Sequence, residues 1–486
     1  MKLTATITVC VFLLAAAQAS ADPWIAPGDA RLRHDLVLLA DAGIVKAPLT
    51  AWPVSWAEVA RDVAGRSPEP GQTAWLAAAL ARVQAAASAA QSTGHPLGEV
   101  SISGSERPMT LRRFGATPRE KGELSAGLQF TGERFAFRVQ ATAVADADDG
   151  KSWRPDGSYA AVVLGNWMLH AGYIDRWWGP GWEGSLIYGS NARPIPSVTI
   201  ERNYSDAIDH PWFRWIGQWR FVATMGQLEG DREDAPHARL SGARLTWKPH
   251  WRIEVGLSRS AQWCGDGRPC GFDTFWDLLT GNDNDQPLEE QPGNQMAGFD
   301  ARWSLPFVPV AVYGQMIGED EAGFLPSQYL GLFGIEFAGG FGDRSLRVHL
   351  EYADTACSFY DSDPNFGCAY RNVIYSDGYQ YRDRSIGHAI DGDSEQYAAG
   401  FLLANANGSS WELAVQSADV NRASANPVHS VELAAAKIRS ADLYHRRPLW
   451  GGDLSVALGY EQREPEGPPG DSEDIRGFVS WTWEFQ

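Results

Sequence analysis

The residues best equipped for chemistry lie together between positions 175 and 196. The stretch reads Asp175-Arg176-Trp177-Trp178-Gly179-Pro180-Gly181-Trp182-Glu183-Gly184-Ser185-Leu186-Ile187-Tyr188-Gly189-Ser190-Asn191-Ala192-Arg193-Pro194-Ile195-Pro196. Indole faces stack on the apolar faces of pyranose rings. Arg, Asn and Tyr hydrogen-bond to sugar hydroxyls or carboxylates. Arg176, Trp177, Trp178, Trp182, Tyr188, Asn191 and Arg193 are therefore candidate polysaccharide-binding residues. Gly179-Pro180-Gly181 predicts a tight turn that exposes them. Two readings stay open: a loop that contacts sugar directly, or a Gly/Pro-rich plug whose tryptophans pack or anchor at a membrane interface.

Other chemistry finds less support. His170, His210, His237, His250, His349, His388, His429 and His445 are scattered, and the HExxH, GxSxG and P-loop patterns are absent. A non-enzymatic chain without a cofactor or a metal is expected. The net charge of −19 disfavours nucleic acid, whose phosphates need a basic surface. The acids concentrate away from the Trp-rich block, at Asp283, Asp285, Glu289, Glu290, Glu319 to Glu321, Asp391 and Asp393. Asp283-Asn284-Asp285 and Asp391-Gly392-Asp393 are incomplete calcium patterns, and solvated acidic loops are the plainer reading. Cys264, Cys270, Cys357 and Cys368 form two local pairs; in an exported chain they read as disulfides, with the local pairing favoured among three connectivities.

Export is signalled at the start. Met1-Lys2, an apolar run from about Thr8 to Ala17 and small residues before Asp22 predict a cleaved signal peptide over residues 1–21. No later window is apolar enough for a membrane helix, which leaves a closed barrel as the only way to span a bilayer. Residues 22–95 have helical period. Asp29 is a candidate N-cap, Ser55 with Glu58 a capping box, and Thr73 opens an alanine-rich helix to about Gln91.

Beyond residue 95 the period becomes two. Segments 134–142, 251–258, 345–352 and 411–416 alternate apolar with polar or charged residues, as strands between lipid and a polar lumen do. Short links near 132–133, 165–166, 248–250, 306–309, 339–343 and 407–409 alternate with long ones near 107–119, 146–157, 176–197, 228–236, 261–295, 319–327, 355–394 and 463–474. Transmembrane barrels have short periplasmic turns and long outer loops. The pattern therefore predicts an all-β transmembrane barrel of about 18 antiparallel strands, residues 96–486, with a small α-helical domain, residues 22–95, at its periplasmic end. The final strand, with Trp481, Trp483 and Phe485 near its end, resembles the aromatic signal read by the barrel insertion machinery, though Gln486 follows Phe485.

The Trp-rich block resembles the signature of the capsule assembly protein Wzi family. The start of the mature chain does so too: Pro27-Gly28-Asp29, Leu32-Arg33, Asp35-Leu36, Leu39-Ala40-Asp41-Ala42-Gly43 and Trp52-Pro53. Ile200-Glu201-Arg202-Asn203 also fits. The resemblance implies an outer-membrane lectin with an 18-stranded barrel and a helical bundle at its periplasmic mouth. Such a protein holds capsular or exopolysaccharide at the cell surface, contacts outer-membrane lipids and lipopolysaccharide, and is expected to be a monomer. A porin-like diffusion channel for sugars or other small solutes is the alternative, since about 18 strands can enclose a pore.

Overall fold

The computed structural model describes residues 22–485 apart from 92, 281–286, 288–290, 323, 324 and 469. The expected signal peptide and the acidic positions Asp283, Asp285, Glu289 and Glu290 lie outside the described residues.

The alternating segments form a closed antiparallel barrel. Trp153–Arg154 and Tyr159–Leu164 pair with one neighbour as an interrupted strand, so the barrel has 18 strands. It closes where the last strand, Ser472–Phe485, pairs with the first, Pro96–Ser105, Phe485 opposite Gly98. Alternation decides the faces. In Phe135–Ala145, Phe135, Phe137 and Val139 point outward and are exposed, while Ala136 and Thr142 are buried inside. Leu257, Phe299, Ile335, Leu350, Val415 and Val479 extend this outer apolar belt around the wall. Exposed Trp167, Trp251, Trp303, Phe307 and Trp450 ring the short-turn end; Trp153, Tyr397 and Tyr460 lie toward the other.

Three links differ from expectation. Strands Val310–Ala322 and Leu325–Phe341 run close to each other, and strands Gly452–Pro465 and Ser472–Phe485 leave a shorter link than 463–474. Ladder pairing continues through the polar residues that suggested loops. Link 203–217 is long yet lies at the short-turn end. Asn203, Ser205 and Asp206 there bond to Ser55, Glu58 and Arg61, so it serves as a seat for a helix.

The N-terminal residues form helices α1 (Ala30–Asp41), α2 (Trp56–Val63) and α3 (Ala74–Ala90). The Asp29 side chain accepts from the Leu32 N–H at 2.9 Å and Ser55 caps α2, but Thr73 caps α3 without a side-chain bond. These helices sit at the short-turn end and reach into the lumen. Arg302 of the wall grips Asp41 at 2.7 and 2.8 Å, and Glu254 accepts from the Leu49 N–H and the Thr50 N–H and hydroxyl at 2.7–3.0 Å. Their core residues Leu36, Leu39, Trp52, Val59 and Leu80 are continuous with Trp177, Trp178 and Leu186 of the Trp-rich block. The helical region thus shares one hydrophobic core with the barrel interior.

Candidate functional site

The Trp-rich block folds inward. Its first residues, Trp177–Trp178, pair antiparallel with Ala51–Trp52, tying the block to the helical region. A chain segment crossing a lumen must find partners for every backbone N–H and C=O, and the inward strand residues supply them. Glu351 accepts from the N–H groups of Trp182, Glu183 and Gly184 at 2.8, 3.1 and 2.9 Å, and from the Tyr313 hydroxyl at 2.8 Å. Gln315 accepts from the Leu186 N–H and donates to the Trp178 carbonyl at 2.8 and 2.7 Å. From α1, Arg33 donates to the carbonyls of Pro180 and Gly181 at 2.7 and 2.9 Å, with its guanidinium between the rings of Phe114 and Trp182, 4.3 and 4.2 Å from their centroids. Glu183 meets His349, Gln416 and Arg113. Burial alone would raise its carboxyl, but Arg113 and the His349 hydrogen bond bring it down to about 2.

A second lid covers the block from the opposite end. The long link 355–394 descends into the lumen, stapled by the Cys357–Cys368 disulfide. Tyr370 and Tyr379 donate to the carbonyls of Leu186 and Ile187 at 2.6 and 2.9 Å, and Gly189 donates to the Ile386 carbonyl. Cys264 and Cys270 form the other disulfide, so the local connectivity is the one present.

This placement decides what the candidate residues can touch. Trp177 and Trp178 are each 1% exposed, and Trp182 and Tyr188 are buried as well. Their ring faces are taken: Tyr188 packs on Trp178 at 4.5 Å between centroids, and Trp182 lies over His349. Arg176 bonds to Thr199 at 2.5 Å, and Asn191 donates to the Ser385 carbonyl. Gly179-Pro180-Gly181 therefore does not present the tryptophans outward. Glycine is needed in this block for close approach: a Cβ on Gly184 would fall 1.8 Å from His388 Nε2. Asp391 and Asp393 depart from the calcium and solvated-loop readings alike. Both are fully buried, accepting from Gln380, Gly392 and Ser430, and from Gly367.

Arg193 alone among the seven leads outward. It pairs with Asp156 at 2.8 and 2.9 Å and with Asp149. Asp149 lines a basin of about 560 Å³ at the long-loop end, together with Glu229, Asp231, Arg232, Glu233, Asp377, Gln380, Arg382, Asp383, His429 and Ser430. Four links build it, and cross-bonds hold them together. Arg232 grips Asp234 at 2.9 and 3.0 Å and donates to the carbonyls of Gln380 and Gly378. Asp391 accepts from Gln380 and from the Ser430 N–H at 3.1 and 2.7 Å. Six carboxylates face two arginines across the basin. Burial pushes Glu229 up; at Asp149 burial is outweighed by the Lys151 N–H and Arg193, which lower it. Ionised carboxylates accept from paired hydroxyls, and Arg382 adds a donor. Chemically the basin suits a hydroxyl-rich ligand. Sequence reading missed these residues because they come from four separate links; the acidic surplus of the long links was the available signal, and it pointed to other positions.

Two further cavities, of about 580 and 340 Å³, run between the plug and the wall, meeting around Pro27, Gly28, Ala116, Thr117 and Arg138.

Three comparisons bear on this architecture. The sequence model of the family described as capsule assembly protein Wzi matches residues 89–466. A Klebsiella pneumoniae protein, described as an uncharacterized 55.8 kDa protein in the cps region, is 34% identical over 398 residues, covering 81% of this chain and 77% of its own. A solved structure is similar over 96% of this chain and all of its own, with 29% identity and a TM-score of 0.85. It is described as Wzi, an outer membrane protein involved in group 1 capsule assembly in Escherichia coli and a carbohydrate-binding β-barrel.

Proposed function

Because this chain belongs to the capsule assembly protein Wzi family, we propose that it is an outer-membrane lectin that binds surface or capsular polysaccharide and helps assemble or anchor the capsule, without catalysing a reaction. The observation that carries the reading is a lumen occupied from both ends, with space left only in the cavities between plug and wall. Helices α1–α3 fill the short-turn end, link 355–394 covers the other, and the Trp-rich block is clamped between them. A barrel filled in this way works at its outer surface, so the diffusion-channel reading is the weaker one.

The basin at the long-loop end is the sugar-contacting surface in this proposal. Arg193 acts on it through Asp149. Arg176, Trp177, Trp178, Trp182, Tyr188 and Asn191 form the floor that fixes the loops above. Residues 1–21 are a cleaved export signal, 22–95 a helical domain on the periplasmic side and 96–486 the barrel. The protein is a monomer, inserted by the barrel machinery among lipids and lipopolysaccharide.

The test is binding of polysaccharide extracted from the producing cells to the purified, folded protein, beside Asp231→Ala/Asp383→Ala and Trp178→Ala/Arg193→Ala variants. Saturable binding that the first variant loses while keeping the thermal midpoint of the parent supports the basin. Binding that only the second loses moves the site to the Trp-rich block. No binding together with steady conductance in a planar bilayer rejects the lectin.

A further inference from the structure

The link between strands Ile253–Trp263 and Gly293–Ser304 contains a helix, α4 (Phe272–Thr280), that lies on the outside of the barrel. Strand alternation establishes the side. Ser260 bonds to Tyr379 and Gln262 to the Gly378 carbonyl, both within the lumen, so Arg259, Ala261 and Trp263 face outward. Leu278 of α4 is 2% exposed and packs with Ala261, Trp263 and Cys264, with Phe275 and the outward-facing Met225 against them. Both ends of the helix are fixed. The Cys264–Cys270 disulfide closes the loop just before it, and Arg259 donates to the carbonyls of Leu278 and Leu279 at 2.5 and 2.9 Å at its C-terminus.

At 100° per residue the helix has three faces. Phe275 and Leu278 face the wall. Asp273, Asp277 and Thr280 form a polar edge. Phe272, Trp276 and Leu279 occupy one arc between them and are 76%, 56% and 46% exposed, with the Phe272 and Trp276 rings stacked at 6.5 Å. An aromatic face this open in water is unfavourable by about 25 cal/mol for each Å² of apolar area.

The height of α4 identifies what covers it. Trp251 belongs to the aromatic ring at the short-turn end, and Ala261 beneath α4 lies ten residues along from it. At a rise of about 3.4 Å per residue and a tilt of about 35–45°, that separation spans roughly 24–28 Å of height, against an apolar band of about 25 Å. Of the outward wall residues there, Ser241, Arg259 and Gln295 are polar, and the aromatic Trp263 is covered by α4. Elsewhere Trp153, Tyr397 and Tyr460 stand at that end of the wall.

We propose that α4 is an interfacial helix that inserts Phe272, Trp276 and Leu279 among the acyl chains of the surrounding outer leaflet, completing the outer aromatic ring where it covers the strand's own Trp263. Its polar edge, Asp273 and Asp277, faces the aqueous side. The inference rests on the barrel spanning a membrane. The partner is lipid because the apolar arc continues the apolar belt of Leu257 and Phe299 just below it.

The test uses the chain from Asp22 onward in lipid vesicles, with a nitroxide attached to a single added cysteine, Cys264, Cys270, Cys357 and Cys368 being paired in disulfides. The variants are Phe272→Cys, Trp276→Cys, Leu279→Cys, Asp273→Cys and Asp277→Cys, with Leu257→Cys as the wall reference. Expected is a higher ratio of collisional accessibility to oxygen over that to a water-soluble nickel chelate at 272, 276 and 279, approaching the value at 257, and a low ratio at 273 and 277. A high ratio at 257 with water-like ratios at all five helix positions overturns the proposal while leaving the membrane barrel intact. A low ratio at 257 itself shows that the barrel is not in the bilayer and overturns both. Dipolar broadening at 276 that grows with protein-to-lipid ratio means a second copy covers the face, and overturns the lipid assignment.

Discussion

Replacing Glu351 by glutamine isolates what holds the Trp-rich block in place. The carboxylate is the shared acceptor for four donors: three consecutive backbone N–H groups and the Tyr313 hydroxyl, all within 2.8–3.1 Å. One oxygen serves Trp182 and Tyr313, the other Glu183 and Gly184. Glutamine keeps one oxygen and turns an NH₂ toward the other pair, so either orientation leaves two donors unserved. A buried donor without a partner costs about 1–3 kcal/mol, which places Glu351→Gln at roughly 2–6 kcal/mol. The loss falls on the block and its neighbours, since the barrel ladders do not involve the Glu351 side chain. Limited proteolysis of the purified protein in detergent is the assay, read alongside the apparent thermal midpoint at a fixed scan rate. Expected are new cleavages within 175–196 or 355–394, a lowered midpoint, and intermittent conductance where the parent shows none. A variant as protease-resistant and as heat-stable as the parent would refute the reasoning. It would mean that aromatic packing holds the block and that the carboxylate merely fills space.

Gly184→Ala drives a methyl group into the His388 imidazole, so it should lower the thermal midpoint by an overpacking cost of about 1–3 kcal/mol; adding His388→Ala should recover most of that loss, and a double variant no better than the single would place the clash elsewhere. Burial brings the His388 imidazole down to about 4 and pushes the Asp393 carboxyl up to about 6. Acidification from pH 6.5 to 4 therefore removes stability at His388, whose unfolded form takes a proton the fold refuses, and adds stability at Asp393, which the fold protonates first; each amounts to about 3 kcal/mol and the two oppose. Measured against the parent across that window, thermal midpoints should shift upward on acidification for His388→Asn and downward for Asp393→Asn. Under mild reductant, Cys264–Cys270, with Cys270 exposed, should open before Cys357–Cys368, in which Cys357 is fully buried; mass spectrometry of alkylated samples reads the order.

The wall was legible in the sequence and its contents were not. Period-two alternation in 134–142 and 345–352 fixes which face each side chain takes, because successive Cβ atoms point to opposite sides. Asp29 and Ser55 announce their helices because capping depends on a few adjacent residues. What fills the lumen is set by contacts such as Arg33 to Pro180 or Tyr370 to Leu186, between residues far apart in the chain. No local period records such contacts. Trp177 and Trp178 illustrate the limit: side chains suited to stacking on sugar are equally suited to stacking on protein. Glu351 in the alternating segment 345–352 reads as the lining of a polar lumen, and in the folded chain its partners are chiefly backbone groups of the plug.

The seam between Phe485 and Gly98 imposes an order on assembly. The first and last strands bracket the barrel in the sequence, so the cylinder cannot shut until the last strand, Ser472–Phe485, is in place. Residues 22–95 precede the barrel in the chain and are present early, ahead of the Trp-rich block that Ala51–Trp52 will pair with. Once the wall closes, no plug of this size can enter sideways. What is not gathered while the sheet is still an open ribbon must come in through one of the two mouths, residues 22–95 at the short-turn end and link 355–394 at the other.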